Sequence, residues 1–269
     1  MNKFTQSGWL ELPHSTSLTT AKRPTARLSN GRHIKSGAGF TVSVQLLGLP
    51  GRNTRRDGSQ KGDGVRFLID TNPPDVERLT KAWPDYVAGQ LIVPSRTRRN
   101  WGGAFAMDNS AFISFDAERF KRLQERQAAN SDRCLFVTCP DVVGNMRRTL
   151  ELWRHRERFS NGFDLCLVLQ NGAEDLEIPW HETKAIFIGG VDPWKESAAC
   201  RDCIITAKML GLHVHCGRVN QIKRYEYMAS LGCDTCDGSG VARFGFRQLY
   251  QIAKEHHGRE QKALFETHA

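Results

Sequence analysis

The chain has 269 residues, 39% of them hydrophobic, and a formal net charge of +9. This length and apolar content predict one large α/β domain or two small ones. They exclude a short scaffold held by disulfides, so we expect the eight cysteines to be reduced. No apolar run approaches the roughly 20 residues that span a bilayer, and the N-terminus lacks the apolar segment of a signal peptide. We therefore expect a cytoplasmic protein with no membrane partner.

Positive charge is concentrated toward the N-terminus. Residues 1–64 contain ten Lys or Arg against three acids, which accounts for +7 of the net charge. The segment is rich in Ser, Thr, Gly and Arg, so we predict a basic, poorly ordered arm and loop with a strand at 40–49. A second cluster comprises Arg96, Arg98 and Arg99. Such clusters suit a polyanionic partner, because neutralised phosphates release counterions, although a solvated arm that contacts nothing has the same composition.

From residue 65 onward, short apolar runs alternate with amphipathic segments. The predicted strands are 65–70, 90–95, 104–108, 134–138, 165–170, 185–190, 213–217 and a last one near 233–237. The predicted helices are 74–83, 116–127, 144–158, 195–211, 220–232 and 246–256. Apolar runs of this length are typical of strands buried on both faces, and their alternation with helices predicts parallel βαβ units.

Eight strands favour a closed (β/α)8 TIM-like barrel over an open sheet. No Gly-x-Gly-x-x-Gly motif follows the first strand, which weakens a dinucleotide-binding fold. We place the barrel at 65–260 and a C-terminal tail at 261–269, and the short segment 171–184 must replace one helix.

Polar residues follow several of these strands at their carboxyl ends, where α/β barrels keep their chemistry. They are Asp108, Asp141, Gln170, the pair Gly189-Gly190, and Asp237. If Asp108 and Asp237 share one barrel mouth, they form a carboxylate pair suited to retaining glycosyl transfer, one as nucleophile and the other moving protons. Asp141 and Gln170 could read a heterocycle, and the glycines would let a ligand approach main-chain N–H groups. Each residue alone could equally be a helix cap or turn residue.

In this order the set resembles the tRNA-guanine transglycosylase superfamily. The family's Asp-Ser-Gly-Gly-Phe motif is similar to residues 108–112, and the Gly-x-Asp-x-x-Asp context of its nucleophile is similar to residues 232–237. Its base-reading aspartate, glutamine and Gly-Gly pair look like Asp141, Gln170 and Gly189-Gly190. The resemblance covers about residues 90–245, and the family's glycines at 110 and 111 are replaced by Ser and Ala.

The resemblance implies a reaction and a substrate. Asp237 would attack C1′ of a guanosine nucleotide, guanine would leave, and a 7-deazaguanine would replace it, with Asp108 transferring protons and no cofactor. Asp141, Gln170 and the amides of Gly189, Gly190 and Val191 would hold the base. The family's C-terminal zinc motif is absent, since no cysteine follows Cys236. The chain thus looks like the short, zinc-less DpdA-like branch, often phage-encoded, so the implied partner is DNA rather than tRNA and the location is then the host cytoplasm. A duplex would require base flipping.

Further residues have weaker signals. Residues 217–220 form a predicted loop before a helix, where the amides and Arg218 could bind a phosphate. The alternative is that Asn220 simply caps the helix. Arg243 could contact a nucleic-acid backbone, or be an ordinary surface arginine. Phe112 could stack on a base or belong to the core.

Two other functions stay open at this point. A barrel with decayed catalysis could simply bind nucleic acid. His213-x-His215 could ligate the metal of a hydrolase, although such a pair usually lies on the first strand of the barrel. Two Cys-x-x-Cys pairs, at 200–203 and 233–236, are 29 residues apart, which exceeds the spacing of a zinc ribbon.

Overall fold

The computed structural model describes residues 64–96 and 99–266, without the side chains of residues 257–266. The predicted N-terminal arm up to residue 63, its strand at 40–49, Arg98 and residues 267–269 lie outside the described residues. No helix among the described residues combines the length and the apolar character needed to cross a bilayer.

Eight parallel strands form a closed barrel in sequence order. They are β1 (Arg66–Ile69), β2 (Val87–Ile92), β3 (Phe105–Met107), β4 (Cys134–Thr138), β5 (Leu165–Leu169), β6 (Ala185–Ile188), β7 (His213–Cys216) and β8 (Thr235–Cys236). The barrel closes where β8 pairs with β1, with Thr235 opposite Arg66 and Cys236 opposite Phe67. The predicted (β/α)8 TIM-like fold is confirmed.

Helices occupy most of the connections between strands. They are α1 (Pro73–Ala82), α2 (Ala117–Gln127), α3 (Met146–Trp153), α4 (Ala198–Met209), α5 (Ile222–Ser230), α6 (Ser239–Phe244) and α7 (Phe246–Glu266). The side chains of four residues accept a hydrogen bond from an amide of the first helical turn and so fix where a helix begins: Asn72, Asp116, Asn145 and Ser197.

Some elements differ from the sequence-based bounds. The described segment 171–184 contains two 3-10 turns, Ala173–Asp175 and Trp180–Glu182, in place of a helix. Pro179 lies within it and lacks the N–H that a helix interior needs. Helix α6 was not predicted, and α7 continues to Glu266, past the boundary at residue 260.

The barrel has an inner and an outer core. Alternate strand residues point inward and form a small apolar cluster of Leu68, Leu91, Ala106, Phe136, Cys166, Val168, Ala185 and Phe187. The intervening residues point outward and pack under the helices in the larger core. Because side chains alternate along a strand, the residue two positions after the last inward one also faces the barrel axis, at the carboxyl-terminal mouth.

Candidate active site

A cavity of about 210 Å³ lies at the carboxyl-terminal mouth of the barrel. At the end of each strand, one residue lines this cavity, two positions beyond an inward-facing residue: Asp70, Val93, Asp108, Thr138, Gln170, Gly189, Gly217 and Asp237. Asp141, Ser110, Phe112 and Arg218 reach the same cavity from the loops. The strand ends on which the functional prediction depends therefore converge on one site.

Asp237 is held from two sides. His215 Nε2 lies 3.0 Å from its Oδ2, and the backbone N–H of Arg218 donates to its Oδ1 over 3.0 Å. Burial alone would raise the pKa of Asp237, but the hydrogen bond and the positive potential of His215, with the Arg218 N–H and Lys195, lower it below its ordinary value. Asp237 is therefore an ionised carboxylate at neutral pH, as a nucleophile must be.

Asp108 has the opposite character. Its Oδ1 accepts hydrogen bonds from the Ser110 N–H at 3.1 Å and from the Thr138 hydroxyl at 3.4 Å. Burial, followed by the negative charges of Asp237 and Asp141, outweighs these contacts and raises the pKa of Asp108 to about 7. Asp108 can therefore gain or lose a proton near neutrality, which suits a general acid and base.

Asp141 is fixed by two amide side chains. Asn109 Nδ2 donates to its Oδ1 over 2.9 Å, and Gln170 Nε2 donates to its Oδ2 over 2.7 Å. Burial raises the pKa of Asp141, and these two hydrogen bonds oppose the increase. Gln170 is itself oriented because its Oε1 accepts from the Gly144 N–H at 2.8 Å. Gln170 thus orients Asp141 by this hydrogen bond, and both side chains line the cavity.

The residues Gly189 to Val191 do not offer the amides that the sequence analysis expected. The N–H groups of Gly189 and Gly190 both donate to Leu169 O, and that of Val191 donates to Asn171 Oδ1 over 2.9 Å. Of the three, Gly189 lines the cavity and the other two do not. Gly189 instead provides space, because a Cβ there would lie 2.5 Å from Val168 Cγ1 and 2.7 Å from Gln170 Nε2.

Arg218 links three loops of the mouth. Its guanidinium lies 4.1 Å from the centre of the Phe112 ring and donates to the carbonyl oxygens of Gly189 and Gly190. Its backbone amide donates to Asp237, so this amide does not contribute to the expected phosphate seat. Asn220 Oδ1 accepts from the Gly240 N–H and thereby caps α6, not α5. Phe112 is 59% exposed, so it belongs to the rim of the cavity and not to the core.

The other predicted nucleic-acid contacts differ in their placement. Arg96 is exposed and lines the cavity. Arg99 is exposed on the same loop, and its carbonyl accepts from the buried Gln90 side chain. Arg243 is exposed on α6 and does not line the cavity.

The histidines and the paired cysteines are not arranged as a metal centre. His213 Nε2 and His215 Nδ1 both contact Thr235 Oγ1 inside the barrel, at 2.8 and 2.9 Å. Within the described part of the chain, no three His, Cys, Asp or Glu side chains cluster in a way that could hold a metal ion. All eight cysteines are free thiols. The donor set therefore does not favour the metal-dependent hydrolase.

Sequence reasoning missed several residues of this site. Asp70 follows β1 as Asp108 follows β3, and the same strand-end signal could have found it. Asn109, which is buried and bonded to Asp141, was passed over as part of a motif. The contact of His215 with Asp237 joins residues 22 apart and has no local signal.

Comparisons with known proteins add the following. No protein-family model matches the chain, and the search of curated proteins finds no significant match. Among the solved structures that match is one titled "PaMucR Phosphodiesterase, c-di-GMP complex". It is 11% identical, with a TM-score of 0.32 over 64% of this chain and 73% of that one.

Proposed function

We propose that the protein is an enzyme of base exchange, replacing guanine in nucleic acid with a 7-deazaguanine through a covalent bond to Asp237. One observation carries this proposal. Two carboxyl groups line the same cavity, and their surroundings move their pKa values in opposite directions. Such a divergent pair assigns roles, with the ionised Asp237 as nucleophile and Asp108 as acid and base.

The reaction follows from these roles. The Asp237 carboxylate attacks C1′ of the guanosine nucleotide, the bond between C1′ and the base breaks, and its electron pair leaves with guanine. Protonated Asp108 gives its proton to the departing base. The incoming 7-deazaguanine then loses its N9 proton to Asp108 and attacks C1′, which displaces Asp237. The two displacements retain the configuration of the sugar.

The cavity suits one heterocyclic base. A cavity of about 150 Å³ is known to hold a benzene ring, and this one is about 210 Å³. Val143, Val168 and Phe187 give it apolar walls, while Asp141 presents carboxylate oxygens. A carboxylate can accept from two neighbouring donors, which is the pattern on the N1 and N2 edge of guanine. Phe112 at the rim offers a ring on which a base can stack.

DNA is the proposed partner, with tRNA as the weaker candidate. Arg96 is exposed and lines the cavity, and Arg99 is exposed on the same loop. Exposed arginines can neutralise phosphates. The covalent chemistry is the same on either nucleic acid, so an assay that offers both DNA and tRNA distinguishes the two substrates. An enzyme that acts on a duplex must draw the nucleotide out of the stack, because C1′ and the base must enter the cavity.

Incorporation of radiolabelled guanine tests the proposal without knowledge of the natural 7-deazaguanine. The wild-type chain is incubated with single-stranded DNA, duplex DNA or tRNA, and label in the nucleic acid is counted. We expect incorporation by the wild type, none by Asp237→Asn, and wild-type rates from Asp132→Asn, an exposed control on a remote turn. A wild type that binds DNA but incorporates no label into any of the three would support a non-catalytic binding barrel instead.

A further inference from the structure

A chain of hydrogen bonds inside the barrel ends on Asp237. Thr235 Oγ1 contacts His213 Nε2 at 2.8 Å and His215 Nδ1 at 2.9 Å, and His215 Nε2 contacts Asp237 Oδ2 at 3.0 Å. The sheet aligns these groups, because His215 and Thr235 are register partners on β7 and β8. Residues two apart on a strand face the same side, so His213 joins from below and Asp237 from above.

His215 is enclosed by apolar rings. Its side chain is 0% exposed, and the ring centres of Phe187 and Phe136 lie 4.7 and 5.0 Å from its own. A polar ring in such surroundings is costly unless its nitrogens are bonded, and here both have partners. The contact between His215 and Asp237 therefore belongs to the buried interior, where solvent does not screen it as it does a surface ion pair.

The partners determine which nitrogen carries hydrogen. An ionised carboxylate only accepts, so His215 Nε2 must donate to Asp237. His215 Nδ1 contacts the Thr235 hydroxyl, which also contacts His213 Nε2. Burial lowers the pKa of His213 to about 4, so His213 is neutral at pH 7.

We propose that His215 is a positioning residue that keeps Asp237 ionised and aimed at the substrate, while Thr235 and His213 hold the imidazole in its donating orientation. The kinetic part of this inference rests on the proposed base exchange. With His215 on one oxygen and the Arg218 N–H on the other, the carboxylate cannot rotate away from the cavity.

Other charged groups also act on Asp237 and stay in place when His215 is replaced. They are the carboxyl group of Asp108 across the mouth and the ammonium group of Lys195, and the backbone N–H of Arg218 also remains. Lys195 is buried and its Nζ donates to Gly217 O over 2.6 Å, so it is fixed independently of the histidine. A change in the Asp237 midpoint on substitution of His215 therefore reports the hydrogen bond and the charge of that imidazole.

Titration of the Asp237 carboxyl carbon by NMR tests the contact without requiring activity. The signal is identified by its loss in Asp237→Asn of the full chain. We expect Asp237 to titrate at higher pH in His215→Phe than in the wild type, and His215→Gln, whose amide can still donate, to lie between them. Phe136→Leu disturbs the same interior without removing a donor and should titrate as the wild type. An unchanged midpoint in His215→Phe overturns the proposal.

Thr235→Val keeps the test decisive if His215→Phe does not fold. It leaves the imidazole in place but removes the hydroxyl that orients it, so the Asp237 midpoint should again rise. An unchanged midpoint in Thr235→Val would refute the role of the chain behind His215.

Kinetics separate this inference from the proposed function. Loss of a hydrogen bond to a charged group should lower kcat in His215→Phe by about 10- to 100-fold, with an unchanged KM for the nucleic acid and partial recovery in His215→Gln. A rise in KM alone would overturn the positioning role. A wild type without exchange activity whose Asp237 midpoint still responds to His215 would refute the base exchange and uphold the contact.

Discussion

Replacing Asp108 by asparagine keeps the shape of the side chain and removes its ability to ionise. Burial, with the charges of Asp237 and Asp141, raises the pKa of Asp108 to about 7 in the folded protein, whereas an aspartate in an unfolded chain has a pKa of about 3.9. Between pH 5 and pH 7 the folded protein holds a proton that the unfolded chain releases. Its free energy of unfolding therefore falls as the pH rises. About two pH units at about 1.4 kcal/mol each give a loss of about 3 kcal/mol, which the asparagine variant escapes.

Urea unfolding followed by tryptophan fluorescence at pH 5 and pH 8 measures this effect. The stability of Asp108→Asn relative to the wild type should increase by about 3 kcal/mol from the lower to the higher pH. Asp132→Asn, on the exposed turn Ala128–Arg133, is the matched control and should show the same difference at both pH values. An equal effect of Asp108→Asn at both pH values would refute the raised pKa and the proton-transfer role built on it.

Three further predictions follow from the same contacts. The rate of guanine release should fall as the pH rises above about 7, because Asp108 must be protonated to serve the leaving base, and stopped-flow measurement of release will show this. Gly189→Ala should destabilise the fold by about 1–3 kcal/mol and weaken guanine binding in calorimetry, because its Cβ would clash with Val168 and Gln170, which both line the cavity. Asn109→Leu should cost about 1–3 kcal/mol in chemical unfolding, since Asp141 loses a buried donor, and should also weaken guanine binding.

Controls make these outcomes specific. Gly240→Ala is matched to the glycine variant, because its Cβ would meet Gln248 at an ordinary 3.5 Å and should leave binding unchanged. A guanine-release rate that stays constant from pH 6 to pH 9 would contradict the role of Asp108. Unchanged guanine affinity in both Gly189→Ala and Asn109→Leu would show that Asp141 and Gln170 do not hold the base.

The barrel could be predicted because its strands carry a strong local signal. Runs such as 134–138 and 165–169 are apolar on both faces; the first ends at Thr138, and Gln170 directly follows the second. The start of β2 was misplaced by three residues, at 90 and not at Val87, because Gly89 interrupts the apolar run. That glycine is required by tertiary structure, since a Cβ there would lie 2.0 Å from the carbonyl oxygen of Ala104, directly before β3.

Strand periodicity predicted which residues line the site, but not which hydrogen bonds they make. Asp108, Gln170 and Asp237 each lie two positions after an inward-facing strand residue. The barrel fold therefore brings them to the same mouth. The amides of Gly189 to Val191 were misjudged because a sequence does not indicate which N–H groups are already bonded. The pair His213 and His215 looks like a metal site in isolation, since its partner Thr235 lies on another strand.

The covalent bond between Asp237 and C1′ is the central claim, and it can be observed directly. Wild-type protein is mixed with a guanine-containing DNA oligonucleotide in the absence of free base, quenched with acid, digested and mapped by mass spectrometry. The account predicts a nucleotide adduct on the peptide that contains Asp237, and no adduct in Asp237→Asn. A wild type without any adduct, or an adduct that persists in Asp237→Asn, would contradict it.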